Sequence, residues 1–535
     1  MIPFGPWHPD AAGLNASTCI RANNCLPAAN GFRPLPSLQS ATGAVGTDWL
    51  TDAAGNYITT ATGSYISVSG GVSTSTVHGL AVVFDDDGDV HTFCGDTADL
   101  YKLDATLDWL PVSRTSGGDY GAAATDRWQF GFSGGLVLAV NIADDPQKYL
   151  LNTSTNFEAL GGTPPKARYI AGIGEFIVLG GLTGDERTIH WSGLGNPEHW
   201  TPGTQSCDTQ TFQNGGPVRG IVGGEVGYVF QAETVRRMTF VPGGDLIFQF
   251  DEVEGGRGLA APYSLVRLGS EAYYLAPDGF YRFSLPGGAS QPIGVNKWVQ
   301  TFIADIKPGS EQTVLGGIDP VGKYVVWAYN SASAVSAELN KCLIYDWARD
   351  EATTAELNVT ALSQILTTGV TLDSLDAFGN LDTLPFSLDS AVWAGGASLL
   401  GLFSDTPHLG FFVGLPMEAT FETTDGGAPQ RTMIKGLRPH IDTRSVTAEV
   451  AAREAEGDTV VYGPAESMES TGVISAWASG FVARARMTVA AGATWTKAIA
   501  RASRSCAAST AARSSDDLPM PRAPQSSISC AACPA

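Results

Sequence analysis

The stretch Glu271-Ala272-Tyr273-Tyr274-Leu275-Ala276-Pro277-Asp278-Gly279-Phe280-Tyr281-Arg282-Phe283 decides the fold class. It reads as an apolar strand, a Pro-Asp-Gly turn and a second strand carrying aromatics, which is the signature of a β-hairpin. The theme recurs from about Gly79 to Gly414. Leu80 to Phe93 turns at Asp87-Gly88, Trp128 to Val140 at Ser133-Gly134-Gly135, and Ile170 to Trp191 through a longer turn; each predicts two strands of one sheet. Arg219 to Phe240, Leu268 to Phe283, Val314 to Tyr329 around Pro320-Val321-Gly322, and Val392 to Val413 continue the series.

Hairpins at a spacing of about 30 to 60 residues, with no interleaved amphipathic helices, predict radially repeated four-stranded blades. The fold class is therefore all-β, a β-propeller of six or seven blades over residues 79–414. A set of β-sandwiches would leave the same hairpin signature, and the repeats are too dissimilar to count blades. Residues 1–78 read as an extended arm with the first strands. Residues 415–500 change character, with alternation in Thr420 to Thr423, Thr447 to Ala452, Thr459 to Tyr462 and Ala483 to Val489, and predict a small β-sandwich-like domain. Residues 501–535 turn to Ala, Ser, Arg and Pro without any period. Such a segment buries too little surface to offset the entropy of ordering it, so it reads as a disordered tail.

Composition agrees with a large β core. The chain has 535 residues, 43% of them hydrophobic, and only 16% charged, with 63 glycines and 30 prolines to make turns. Acidic residues outnumber basic ones, 54 to 32. The averaged field repels phosphate and cannot supply the counter-ion release that drives conventional nucleic-acid binding. An acidic wall still suits a passage along which DNA must slide without sticking, and the same excess also serves solubility. No apolar run approaches the length of a membrane span, and Met1 to Pro9 lacks the basic and apolar regions of a signal peptide; the expectation is a soluble protein made in a cytoplasm.

Motifs that would carry chemistry fail on context. Gly131-Phe132-Ser133-Gly134-Gly135 matches a nucleophile elbow, but strands flank it on both sides where a helix should follow. Gly317 to Lys323 has the spacing of a phosphate-cradling loop, yet Tyr324 stands where a Ser or Thr should reach magnesium. Asp85-Asp86-Asp87-Gly88-Asp89 lacks the bidentate Glu of a calcium loop and reads as a solvated turn. The histidines, among them His190 and His199, show no metal-ligand spacing. The cysteines at 19, 25, 94, 207, 342, 506, 530 and 533 form no disulfide framework; most read as reduced core thiols, and the Cys530, Cys533 pair finds no partner pair to complete a zinc site. The sequence predicts no catalytic residue, no cofactor and no metal.

The N-terminus, Phe4-Gly5-Pro6-Trp7-His8-Pro9-Asp10 followed by Ala22-Asn23-Asn24-Cys25-Leu26-Pro27 and Gly31-Phe32-Arg33-Pro34, resembles the opening of the tail nozzle (tail tubular protein B-like) and packaged-DNA stabilisation proteins of podoviruses. Ile189-His190-Trp191-Ser192-Gly193-Leu194-Gly195-Asn196-Pro197-Glu198-His199-Trp200 is similar to a second element of the same family. Gly223 to Phe230, Ala261-Pro262-Tyr263-Ser264-Leu265-Val266, Asp278-Gly279-Phe280-Tyr281, Arg431-Thr432-Met433-Ile434 with Arg438-Pro439, and Ala491-Gly492-Ala493-Thr494-Trp495 continue in order. The resemblance covers roughly residues 1–498 and marks Trp7, Asp10, Pro27, Arg33, Pro34, Trp191, Pro197, Trp200, Tyr263, Phe280 and Trp495 as structural motif residues. It departs at the end, where a further strand bearing a Gly and an Asp is expected; a shifted reading frame would produce the tail found instead.

The resemblance implies a structural protein of a short-tailed phage virion, not an enzyme. It implies a homo-hexameric ring mounted below the portal-adaptor complex, with tail fibres or spikes as further partners and double-stranded DNA passing without sequence-specific contacts. The ring would retain packaged DNA and release it on infection. The alternative is a glycan-binding or glycan-cleaving propeller, tailspike- or sialidase-like, which needs aromatic platforms beside paired carboxylates. The Asp-containing turn that many sialidase blades carry has no copy in the chain.

Overall fold

The computed structural model describes residues 2–45, 76–367 and 387–502, apart from a few single or paired positions. The expected disordered tail lies outside the described residues, save that its first two positions belong to the strand Ala498–Ala502. Each hairpin of the sequence seeds one blade. Blade 1 is Gly79–Phe84, Val90–Gly95, Leu100–Leu103 and Trp109–Pro111; blade 2 is Gln129–Ser133, Leu136–Val140, Gln147–Leu150 and Glu158–Ala159. Blade 3 is Ala167–Ile173, Phe176–Leu182, Asp185–Trp191 and Asp208–Thr211; blade 4 is Val218–Val222, Gly227–Gln231, Thr234–Phe240 and Phe248–Gly255. Blade 5 is Val266–Leu268, Glu271–Ala276, Gly279–Ser284 and Ala289–Ile293.

These five sheets and blade 7 are free-standing, which gives six self-contained four-stranded blades. Blade 7 joins Ala361–Leu366, Ser398–Phe403 and Leu409–Pro416 to Pro36–Ser40 from the N-terminal arm, so the strand preceding blade 1 in the chain closes the ring. Blade 6, formed by Leu315–Asp319, Tyr324–Tyr329, Leu339–Asp346 and Glu351–Val359, sits between blades 5 and 7 but opens a ten-stranded sheet that continues into a second domain. The first strands of neighbouring blades pack side by side, with that of blade 7 against that of blade 1; between blades 4 and 5 the strand Val218–Val222 meets the turn Pro262–Ser264 just ahead of Val266–Leu268. Among the described residues the propeller is thus six free blades and one fused blade.

Two sequence expectations change. Ile170 to Trp191 is three strands rather than two. Gly174, at φ +56°, lets Ile173 pair with Phe176, and a second turn pairs Leu182 with Asp185, so the apparent long turn contains the fully buried strand Phe176–Leu182. Thr459 to Tyr462 forms no strand, only an isolated bridge between Tyr462 and Ala451, because Gly463 and Pro464 follow and a proline offers no N–H to a ladder.

The second domain is not built from residues 415–500 alone. Cys19–Asn23, from the arm, lies between Glu351–Val359 of blade 6 and Ala419–Thr423 of the C-terminal region, hydrogen-bonded to both. Beyond them come Ala478–Val489 and Val446–Arg453. A second sheet, holding Cys25–Ala28, Gly31–Pro34 and Ala498–Ala502, packs opposite. The core between them includes Trp7, Phe32, Phe421 and Trp495 and runs without a break to Phe280, Trp298 and Trp327 of the propeller side.

Asn24 makes the junction. It sits at φ +54°, a left-handed conformation Asn tolerates better than most residues, between the strand that pairs with blade 6 and the hairpin that leaves it. Its backbone N–H donates to Thr354 O (2.7 Å), its Oδ1 accepts from Glu356 N (2.9 Å) and its Nδ2 donates to Glu418 O (3.0 Å). One side chain therefore ties the outer strand of blade 6 to the strand entering the second domain.

Candidate functional site

The first strands of all seven blades enclose a cavity of about 600 Å³ on the propeller axis. Residues just ahead of these strands line one mouth, His78 in blade 1, Arg127 in blade 2 and Tyr263 in blade 5, and the charge of Arg168, in the first strand of blade 3, acts on Tyr263 from outside the lining. Arg127 reaches from blade 2 to blade 7 and donates from Nη1 to Thr360 O (2.5 Å), with its guanidinium 5.9 Å from the centre of the Tyr263 ring. Tyr263 stands 6.4 Å from Tyr169, ring centre to ring centre. Arg168 forms an ion pair with Asp126. At the other mouth Arg267 donates from Nη1 to Gly223 O (2.6 Å) and from Nε to Gly269 O (3.0 Å).

Burial sets the electrostatics of the first mouth. It lowers His78 to about 4, with the Arg127 charge adding to the effect, so this imidazole is neutral at ordinary pH. Its Nδ1 is buried without a hydrogen-bond partner among the described residues. Burial lowers Arg127 to about 10, which leaves it cationic. Burial raises the Tyr263 phenol, against the pull of Arg127 and Arg168. Among the described residues, no Asp or Glu lines the cavity.

The structure distributes the expected residues through the scaffold. Trp7 is 4% exposed and donates from Nε1 to Ile20 O (3.1 Å). Asp10 accepts from Gln300 N (2.7 Å), Thr301 N (2.8 Å) and Thr301 Oγ1 (2.6 Å). It thereby caps the helix Val299–Asp305 from a distant part of the chain, where Trp298 at the N-cap offers no side-chain bond. Pro27, Arg33 and Pro34 belong to the hairpin in which Cys25 pairs with Pro34 and Leu26 with Arg33. Trp191 donates from Nε1 to Ser206 O (2.9 Å) and meets Phe248 edge to face. Trp200 donates to Pro197 O (2.9 Å) and packs edge-on to His190.

Trp7, Phe280 and Trp495 meet in one core, whereas Trp191 and Trp200 serve separate clusters in blade 3. Tyr263 is the one residue of the set at the axial cavity; Trp7 borders a smaller recess of about 300 Å³ beside the helix. The sequence reading missed His78, Arg127 and Arg168, whose only shared signal is their position at the start of successive blades.

The discarded motifs fall where their context places them. Ser133, Gly134 and Gly135 make the turn in which Ser133 pairs with Leu136, and Lys323, at φ +63°, turns between Asp319 and Tyr324. Asp85 accepts from Asp87 N and Asp89 N and is held below the usual carboxylate range by hydrogen bonds from Asn152 and His91. Cys19, Cys25, Cys94, Cys207 and Cys342 are buried free thiols; Cys506, Cys530 and Cys533 lie outside the described residues. No group of three His, Cys, Asp or Glu side chains among the described residues is arranged to hold a metal ion. Among them, no helix is long and apolar enough to cross a membrane.

No family model and no curated protein matches the chain. Among solved structures it is similar to the extracellular domain of the putative one component system BT4673 from B. thetaiotaomicron, at 9% identity and a TM-score of 0.37, over 73% of this chain and 46% of that one. It is similar also to virginiamycin B lyase from Staphylococcus aureus, at 9% identity and 0.33, over 63% and 95%, and to YCF48 bound to D1 peptide, at 12% and 0.35, over 64% and 92%. The propeller assignment stands on the sheet topology.

Proposed function

We propose that the chain is a structural subunit of a short-tailed phage virion, one protomer of the nozzle ring through which DNA leaves the head, and not an enzyme. The observation that carries the reading is the use made of the arm. Trp7, Asp10, Asn24 and the hairpin with Pro27, Arg33 and Pro34 hold the propeller to the second domain through one continuous sheet and one continuous core. Residues that carry the family resemblance thus serve rigidity between lobes, as a load-carrying part requires.

Two further features support it. A glycan-cleaving propeller needs two carboxylates flanking the scissile bond, and among the described residues none lines the axial cavity. A cavity of about 600 Å³ suits a small molecule and not a duplex, so in this reading DNA passes between the protomers of a ring and not along the axis of one propeller. The net charge of −22 disfavours adhesion of DNA along such a passage.

The test is quantitative mass spectrometry on purified virions, counting this chain against the portal protein. About half as many copies as the portal is the expected result for a six-fold ring on a portal of twice that symmetry. Absence from virions overturns the reading.

A further inference from the structure

The axial cavity runs against the charge of the molecule. Acidic residues exceed basic ones by 22 over the whole chain, yet the charged side chains lining the cavity are Arg127 and Arg267, one toward each mouth. The two arginines near the first mouth differ. Arg168 is matched by the carboxylate of Asp126, whereas Arg127 has no carboxylate partner among the described residues. Its known acceptor is the carbonyl of Thr360, with the Tyr263 ring beside it. A guanidinium carries five N–H donors in a rigid fork, and one of them is accounted for by that bond.

An unmatched cation in a half-enclosed cleft attracts an anion. The polar residues Gln129, Ser363 and Gln364 line the same space and add neutral hydrogen-bonding groups. We propose that the axial cavity binds a small phosphate- or carboxylate-bearing solute, with Arg127 as its principal charged ligand. Planar, bidentate oxygen pairs are what a guanidinium fork matches best. The volume lies within the range of about 300 to 1,000 Å³ usual for small-molecule sites. The acidic exterior does not forbid entry, because exposed charges are screened over about 8 Å at physiological ionic strength while charges inside a cleft are screened much less.

Isothermal titration of the full-length chain with inorganic phosphate and, separately, with citrate, both at constant ionic strength, tests the proposal. Saturable one-to-one binding of at least one of them to the wild type is expected. Binding of phosphate alone assigns a phosphate ligand, and binding of citrate alone a carboxylate ligand. Arg127→Lys, which keeps the charge and removes the fork, should weaken binding at least tenfold, and Arg127→Met should abolish it. Arg431→Met, at an exposed ion pair with Glu454 in the second domain, should bind as the wild type does. If neither anion gives saturable heat with the wild type, the proposal is wrong whatever the variants do; it is equally wrong if both Arg127 variants bind as tightly as the wild type. The titration uses the isolated chain, so its outcome is separate from the virion count that tests the nozzle reading.

Discussion

Replacing Asn24 tests whether the propeller and the second domain are one mechanical body. Asn24→Ala removes two side-chain hydrogen bonds, the one that Oδ1 accepts from Glu356 N and the one that Nδ2 donates to Glu418 O, each of which contributes about 1 kcal/mol in ordinary cases. It also forces a Cβ-bearing residue without a compensating polar group to hold φ +54°, which costs about 1 kcal/mol more. The sum is about 3 kcal/mol. Asn24→Gly loses the same two bonds but meets no steric penalty, so it should be less destabilised than Asn24→Ala, even after the entropy glycine adds to the unfolded chain. Asn24→Asp keeps an acceptor for Glu356 N and tolerates the left-handed region, so it should be the mildest of the three. Urea unfolding followed by tryptophan fluorescence measures the series. If Asn24→Ala unfolds within about 0.5 kcal/mol of the wild type, or is more stable than Asn24→Gly, the junction does not work as described.

Other substitutions probe the same scaffold. Trp7→Ala and Trp200→Ala each empty a buried aromatic site and should lower stability by about 3 to 5 kcal/mol in the same unfolding assay; unchanged midpoints for both would remove the structural account of these residues. His78 binds its proton in the folded state only near pH 4 but near 6.5 when unfolded, so the unfolded chain takes up the extra proton between those values. Stability should therefore fall as pH drops from 6.5 toward 4, by about 3 kcal/mol from this residue alone, and His78→Gln should show a shallower loss than wild type in pH-dependent unfolding. A Cβ on Gly223 would stand 2.2 Å from the carbonyl oxygen of Gly172, so Gly223→Ala must push blades 3 and 4 apart; a melting temperature equal to that of the wild type would contradict that contact.

The blades were legible because each rests on a local signal. Asp278-Gly279 announces a hairpin without knowledge of anything beyond its own strands, and Ala276 does pair with Gly279. The central strand Phe176–Leu182 was hidden for the opposite reason: it is buried throughout, so it shows no alternation, and the two turns bounding it read as one long loop. The sequence changes pattern near residue 415, a point that the blade 7 strand Leu409–Pro416 crosses, but no pattern in residues 1–34 reveals that they complete the second domain. Their pairing depends on segments more than 300 residues away, as in the bond from Glu356 N to Asn24 Oδ1.

The axial arginine is the extreme case of the same limit. Arg127 meets Thr360 across 233 residues, a separation that closes only once seven blades have been laid down in a ring and the last stands beside the first. Before closure Arg127 is an ordinary arginine ahead of Trp128; after closure it faces a cavity that no carboxylate lines among the described residues. Pattern and propensity act within a blade, whereas charge at the axis is a property of the closed circle. Tyr263 shows what bridges the two scales. The resemblance singles it out for its place in Ala261-Pro262-Tyr263, and closure then sets its ring beside Arg127 and Tyr169, between the core of blades 3 and 4 and that of blades 6 and 7. Tyr263 thus packs against both cores and borders the cavity that ring closure forms. Occupancy of the cavity should therefore raise the unfolding midpoint of the propeller, because an anion held by Arg127 binds only the closed ring.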